Sequence, residues 1–156
     1  MKKSACFYGL TLFWAAHCLP ARIDEIPQLP FVLGEKLEYE LKWGFFPVGT
    51  ARMEGLPNDA TDTLKPIVIR FSVRTNSFAD AFYRVRTSIT STIDPSFSRT
   101  LKYEKSQREG SKVRDLVVEF DYKSMLARYS DKEGMAINTP IPGPVFDPLS
   151  IAYFFR

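Results

Sequence analysis

Residue types that commonly carry covalent or metal chemistry occur only near the beginning of this chain. Cys6, His17 and Cys18 comprise both cysteines and the one histidine among 156 residues. Thiol catalysis, Ser-His-Asp hydrolysis and Cys/His zinc binding all need these side chains. If the first residues are removed after synthesis, these three classes are excluded. We therefore expect a protein that is not an enzyme and holds no metal or cofactor.

Acidic residues give a second kind of candidate chemistry. Asp115, Glu119 and Asp121 fall on one face of a predicted strand, and paired carboxylates can serve glycoside hydrolysis. Solvated charges paired with nearby lysines and arginines explain the same pattern, and we favour this interpretation. The sequence contains no Gly-x-Gly-x-x-Gly, P-loop or Gly-x-Ser-x-Gly pattern, so common nucleotide and serine-hydrolase signatures are absent.

Arginines and aromatic residues are the remaining candidates. Four arginines on the polar faces of two consecutive predicted strands could receive a phosphate or carboxylate, or could pair with neighbouring acids. They are Arg70, Arg74, Arg84 and Arg86. Aromatic side chains concentrate at 45–46, 78–83 and 153–155. We interpret these as plugs that close the core rather than as walls of a ligand cavity.

The N-terminus predicts export. Lys2 and Lys3 precede an apolar stretch of about a dozen residues, which has the length of a signal-peptide core and is too short to span a bilayer. Cleavage after Ala21 defines a signal peptide over 1–21 and a periplasmic or otherwise exported protein. His17 occupies the position before Cys18 where a lipoprotein has a small residue, which argues against lipid anchoring through that cysteine.

Removal of the leader also changes the charge of the protein. Residues 1–21 contain two lysines and no acid, so the formal net charge falls from +3 to +1. A nearly neutral body with interleaved charges lacks the positive field that nucleic acid binding requires. We expect no nucleic acid partner and no transmembrane span after leader removal.

Alternating apolar and polar residues predict the elements that position these candidates. Residues 22–30 form an extended segment that leads into an antiparallel β domain over 31–156. The clearest strand is 36–43, with Leu37, Tyr39 and Trp43 on one face. Further strands are predicted over 50–56, 66–74, 85–93, 99–107, 112–122 and 126–130. These seven strands with hairpin connections predict a mainly β fold, an antiparallel meander that forms an open, curved sheet or half-barrel.

Short helices and a proline-rich segment interrupt the strands. Asn76 and Ser77 predict the start of a short helical insert, and Asp147-Pro148 predicts the N-cap of a helix over 149–155. Residues 138–145 hold three prolines and are predicted to be extended and unpaired. Because the chain stops within the first turns of the last helix, we expect the C-terminal part of the domain to be missing.

Several stretches together resemble a bacterial family known as domain of unknown function 3108, found in exported envelope proteins. The most specific motif is Gly34-Glu35 before an aromatic-rich strand and a hydrophobic turn bounded by Gly44 and Gly49. The matching stretches are 31–49, 74–78 with 83–86, 101–103 with 108–110 and 118–121, and 147–156. The resemblance implies an antiparallel sheet curved around a helix, similar in architecture to periplasmic lipoprotein carriers, and it implies no catalytic residues.

Two functional hypotheses follow. The first is a non-enzymatic module that binds a lipid or another amphiphile of the envelope on a concave sheet face, with an apolar wall and an arginine rim. The wall residues are Leu37, Tyr39, Trp43, Ile69, Phe71 and Phe120, and the rim residues are Arg70, Arg74, Arg84 and Arg86. The second is a structural or protein-interaction module that docks an envelope protein through a sheet edge or its aromatic loops.

Overall fold

A computed structural model describes residues 29, 31–56 and 65–155 of the chain. Its elements are β1 (Lys36–Trp43), β2 (Phe46–Gly55), β3 (Ile67–Thr75), α1 (Ser77–Asp80), β4 (Val85–Ile93), β5 (Thr100–Glu109), β6 (Lys112–Asp121), β7 (Leu126–Asp131), β8 (Ala136–Pro140) and α2 (Pro148–Phe154). The predicted signal peptide, 1–21, lies outside the described residues. So does the predicted lead-in segment except for Leu29, which packs against the core.

The eight strands form one antiparallel sheet in sequence order, from β1 at one edge to β8 at the other. Each strand is therefore hydrogen-bonded to the strand that precedes it and to the strand that follows it in the chain. The sheet is not closed into a barrel within the described residues. The predicted mainly β fold with an open antiparallel meander is confirmed.

Local sequence explains the strand ends well. Strict alternation predicts β1 and β4 with the bounds that the structure has. Trp43 pairs with Phe46, so two residues turn the chain between β1 and β2. The first of them, Gly44, has φ +60°, the position at which a type II′ hairpin turn requires glycine.

The prediction that 138–145 is unpaired was wrong at its beginning. Asn138, Thr139 and Pro140 belong to β8 and pair with β7, and residues 141–145 lie beyond the strand. An edge strand needs ladder hydrogen bonds on one side only, so the missing N–H of a terminal proline is tolerated there. The sheet therefore gains an eighth strand.

The main core lies where α2 covers one part of the sheet. Asp147 is the N-cap of α2 as predicted, and the helix packs mainly on β3 and β4. We call the buried cluster beneath it the covered core, and it consists of Phe31, Ile67, Ile69, Ile93, Phe97, Leu149 and Tyr153. The α2 helix thus provides a second layer over the middle of the sheet and not over its edges.

Candidate functional site

The strand register sorts side chains onto two faces, since residues directly opposite each other point the same way. Leu37 lies opposite Met53, Met53 opposite Phe71, and Phe71 opposite Ile89. These residues share the face on which α2 packs. We call the part of this face beyond the covered core the open face. It contains Leu37, Tyr39, Leu41, Val73, Val118, Phe120 and Tyr129.

The predicted wall residues divide between the covered core and the open face. Ile69 is completely buried in the covered core, and Phe71 packs against that core. Leu37 and Phe120 are half-buried on the open face, and Tyr39 is exposed there. Trp43 lies beyond a register shift at the end of β1 and is 78% exposed. The structure therefore does not bring all six side chains into one wall.

Three of the four predicted rim arginines lie on the other side of the sheet, and the fourth, Arg84, precedes β4. Arg70 and Arg74 alternate with Ile69 and Phe71 along β3, and Arg86 lies opposite Arg74. A ligand on the open face cannot contact these guanidinium groups, because one sheet separates them. The face that bears them is called the polar face below.

Arg86 and Arg84 also differ in how accessible their guanidinium groups are to a ligand. Arg86 donates from Nη2 to Asp80 Oδ2 (2.6 Å) and from Nη1 to Thr75 Oγ1 (3.0 Å). The hydrogen bonds from Arg86 and Thr75 lower the pKa of the Asp80 carboxyl to about 2. Arg84 Nε lies 3.7 Å from the same carboxylate, and its side chain is largely exposed. Arg86 is thus committed to holding α1 against β4.

Two clefts open on the polar face. One, of about 490 Å³, is lined by Arg52, Arg74 and Arg86 together with hydroxyl groups of β2, β3 and α1. The other, of about 450 Å³, is lined largely by serines, threonines and charged groups of β4 to β7. Hydroxyl and charged linings of this kind suit polar or anionic groups rather than acyl chains.

The cations that do share the open face were missed by sequence reasoning. Lys105 lies between Ile89 and Leu116 in the register, and Arg114 lies opposite Gln107. Neither makes an ion pair with a described residue. Alternation along β5 and β6 was the signal that could have identified them, since Tyr103 and Leu116 belong to the same face.

A buried polar cluster joins α2 to the sheet. Asp147 Oδ2 accepts hydrogen bonds from Ser91 Oγ (2.5 Å), Thr100 Oγ1 (2.7 Å) and Ser150 Oγ. Its Oδ1 accepts from the backbone N–H of Leu149 (2.8 Å). All four polar side chains are buried, so a substrate cannot reach the cluster. Its hydrogen bonds hold α2 on the sheet. Sequence reasoning found the N-cap and missed its three hydroxyl donors.

Two of the three acids of β6, Asp115 and Asp121, are salt-bridged, whereas Glu119 is exposed. Asp115 lies 2.5 Å from Lys132 Nζ and 3.2 Å from Arg108 Nη1, and hydrogen bonds from these groups hold its pKa well below the usual range. Asp121 pairs with Arg128 at 2.7 Å. This geometry matches ionised, paired carboxylates rather than a general acid. Among the described residues, no three Asp, Glu, His or Cys side chains lie close enough to bind a metal.

The prediction that the three groups of aromatic side chains close the core is confirmed for Tyr153, which is 1% exposed. It was wrong for Phe155, which is 81% exposed at the end of α2. It was also wrong at the β1–β2 turn and in and after α1, where Phe45 is 97% exposed and Phe82 is 78% exposed. The aromatic residues of these two segments lie at one end of the sheet, where no described element covers them. We call this group the aromatic tip, and its members are Trp43, Phe45, Phe46, Phe78 and Phe82.

Comparison with known proteins adds one finding. Residues 38–156 match the model of a protein family described as "Protein of unknown function (DUF3108)". No curated protein and no solved structure matches the chain.

Proposed function

We propose that this chain, which belongs to the DUF3108 family of proteins of unknown function, is an exported, non-enzymatic module that binds a hydrophobic or amphiphilic component of the cell envelope. The observation that carries the proposal is the open face. It presents apolar side chains that α2 leaves half-buried or exposed, such as Leu37, Tyr39 and Phe120. Apolar surface that is left uncovered in this way is typical of interaction sites.

The charges on the open face indicate which amphiphile fits. Lys105 and Arg114 are cations without an ion-pair partner among the described residues. Lys105 lies opposite the apolar residues Ile89 and Leu116 in the register, and Arg114 lies two residues before Leu116 on the same face of β6. A ligand with an acyl chain and an anionic head group would satisfy both the apolar surface and these cations. This assigns the head-group role to Lys105 and Arg114 in place of the four arginines of the sequence hypothesis.

Export rests on the sequence of the N-terminus. Lys2, Lys3 and the apolar stretch that follows have the features of a signal peptide. N-terminal sequencing of protein recovered from the periplasm should begin near Arg22. An intact Met1 would contradict export. Among the described residues, no helix is long and apolar enough to cross a membrane.

Native mass spectrometry tests the ligand. Protein purified from the cell envelope should carry a reproducible lipid-sized mass, and organic extraction should release it. Tyr39→Asp and Phe120→Asp should each lose that mass, because they place a charge on the apolar surface. The matched controls Glu40→Ala and Glu119→Ala alter the next residue on the polar face and should retain it. A ligand-free protein, or equal loss in the controls, would refute the proposal.

A structural or protein-interaction module is the second candidate. The strands β1 and β8 are unpaired on their outer sides in the described sheet, and all five residues of β8 are exposed. Such an edge can accept a further strand from a partner. Recovery of a stoichiometric protein partner, with no bound amphiphile, would favour this candidate. Glycine or proline substitution in β8 should then weaken the association.

A further inference from the structure

The aromatic tip is the most exposed apolar feature in the described part of the chain. Phe45 is 97% exposed, and Trp43 and Phe82 are each 78% exposed. Five large exposed rings at one end of the sheet, with those of Phe46, Phe78 and Phe82 next to one another, are unusual in a soluble domain, where large exposed apolar patches mark interaction sites. We distinguish the tip from the open face, because its residues lie at the end of β1, in the β1–β2 turn, at the start of β2 and in the segment that follows β3.

The tip is preformed rather than loose. Asn76 Nδ2 donates to the carbonyl oxygen of Pro47 (2.6 Å), and Asn76 N–H donates to that of Val48 (2.9 Å). These bonds tie the α1 segment to the β1–β2 hairpin. The ring centroids of Phe46 and Phe78 lie 6.3 Å apart, and those of Phe78 and Phe82 lie 5.6 Å apart. A surface held in this way loses little conformational entropy when it docks.

Cations surround the base of the tip. Arg74 lies opposite Arg86 in the register, and Arg86 lies opposite Arg108, so three arginines form a row across the polar face. Like charges directly opposite each other are unfavourable unless an anion compensates them. Asp80 pairs with Arg86 and Asp115 with Arg108, whereas Arg74 has no ion-pair partner among the described residues. Arg84 shares Asp80 with Arg86 and remains largely exposed.

We propose that the aromatic tip docks the protein on the surface of a bilayer that contains anionic phospholipids. Tryptophan and other aromatic rings favour the interfacial region, where an apolar body meets polar head groups. Arg74 precedes Phe78 by four residues and Arg84 follows Phe82 by two, so docking of the rings would bring these basic side chains towards lipid phosphates, which attract them. The tip protrudes instead of forming a groove, which suits insertion into a deformable surface. The inference goes beyond ligand binding on the open face, since docking requires no bound amphiphile.

Tryptophan fluorescence gives a direct test. The chain has two tryptophans, and Trp14 lies in the predicted signal peptide, so the processed protein has Trp43 as its single probe. Vesicles of phosphatidylcholine mixed with phosphatidylglycerol should shift Trp43 emission to shorter wavelength, and brominated acyl chains should quench it. Vesicles of phosphatidylcholine alone should bind more weakly. Unquenched Trp43 emission on the anionic vesicles would refute the proposal.

Vesicle co-sedimentation of variants locates the contact. Phe45→Ser with Phe82→Ser should weaken binding by about tenfold or more, because two rings leave the interface. The control Phe155→Ser removes a ring that is 81% exposed at the end of α2 and should change nothing. The parent and the variants are compared as the processed protein that begins near Arg22, so the apolar leader does not contribute to binding. Equal binding by the double variant and the parent would overturn the proposal.

The arginines and self-association provide the remaining tests. Arg74→Ala and Arg84→Ala should each weaken binding to anionic vesicles by about fivefold and leave neutral vesicles unaffected. Arg70→Ala, on the same face of β3 but four residues from Arg74, should have no effect.

Analytical ultracentrifugation tests whether a second copy of the chain, rather than a membrane, binds at the tip. A dimer that the Phe45→Ser, Phe82→Ser variant dissociates, without vesicle binding by the parent, would assign the tip to a second copy and contradict membrane docking.

Discussion

In the covered core, the ring centroid of Phe31 lies 4.8 Å from that of Tyr153 and 5.7 Å from that of Phe97. In the aromatic tip, neighbouring rings lie at similar distances, 5.6 Å between Phe78 and Phe82. The first three rings are buried, whereas those of the tip stay in water. Ring contacts alone therefore do not make a core. Burial requires a second layer, which α2 provides over β3 and β4 and no described element provides over the tip.

This contrast predicts opposite consequences for equivalent substitutions. In the covered core, a lost side chain removes packing that stabilises the fold. In the tip, a lost ring removes surface that we assign to docking, and stability changes little.

Truncation of Tyr153 should have the largest effect. Tyr153→Ala leaves a cavity between α2 and the sheet and should lower the free energy of unfolding by roughly 3–5 kcal/mol. Urea unfolding followed by circular dichroism measures the change. Phe155→Ala, in the same C-terminal region but 81% exposed, is the matched control and should stay within about 0.5 kcal/mol. Equal effects of the two variants would mean that α2 does not form the second layer.

Removal of the buried Asp147 carboxylate should have the second largest effect on the free energy of unfolding. Asp147→Ala eliminates the N-cap of α2 and leaves the hydroxyls of Ser91 and Thr100 without their acceptor. The expected loss in unfolding free energy is about 3 kcal/mol. Glu119→Ala removes an exposed acid and should be nearly neutral. A loss below about 1 kcal/mol would show that the cluster does not hold α2 on the sheet.

Asn76→Ala should destabilise the tip by about 1 kcal/mol. The variant loses the hydrogen bond from Ala79 N–H to Asn76 Oδ1 (2.9 Å) and the bond from Asn76 to Pro47. Amide hydrogen exchange should therefore accelerate in α1 and remain unchanged in α2. Ser77→Ala alters the adjacent exposed residue and serves as the control. Acceleration in both helices would contradict a local role for Asn76.

Acid should loosen the attachment of α1 at the aromatic tip. The pKa of Asp80 is lowered from 3.8 to about 2, so its contribution to stability is present above pH 3.8 and is lost as pH falls through about 2. NMR shifts of α1 amides should report this step. In Asp80→Asn the step should be absent, with the tip already loosened at neutral pH. An identical acid profile in both proteins would contradict the role of Asp80.

Phe45→Ser should have the smallest effect on folding. Because the ring is almost completely exposed, the free energy of unfolding should change by less than about 0.5 kcal/mol. The same variant should reduce binding to anionic vesicles. A clear loss of stability would show that the tip contributes to the folded core, and the contrast between the two regions would fail.

Much of the architecture could be predicted from local pattern. Alternation defined β1 and β4 residue by residue, and Asp147-Pro148 marked the start of α2. The strand β8 was missed, because three prolines argue against pairing and only the neighbouring β7 shows that an edge position tolerates them. The candidate site was predicted less well. The four arginines and the apolar wall were grouped by proximity along the chain, although the period of two places them on opposite faces.

The sequence by itself determined seven of the eight strands, their order and the alternation of side chains between two faces, because strand geometry depends on neighbours along the chain. Only the tertiary structure decided which apolar side chains α2 covers. It also decided that Ser91, Thr100 and Ser150 meet at Asp147, and that rings from the β1–β2 turn and α1 form one exposed tip. These arrangements depend on contacts between distant segments. The hydrophobic effect rewards burial of any apolar surface, so a residue's type alone does not specify which surface remains open to a partner.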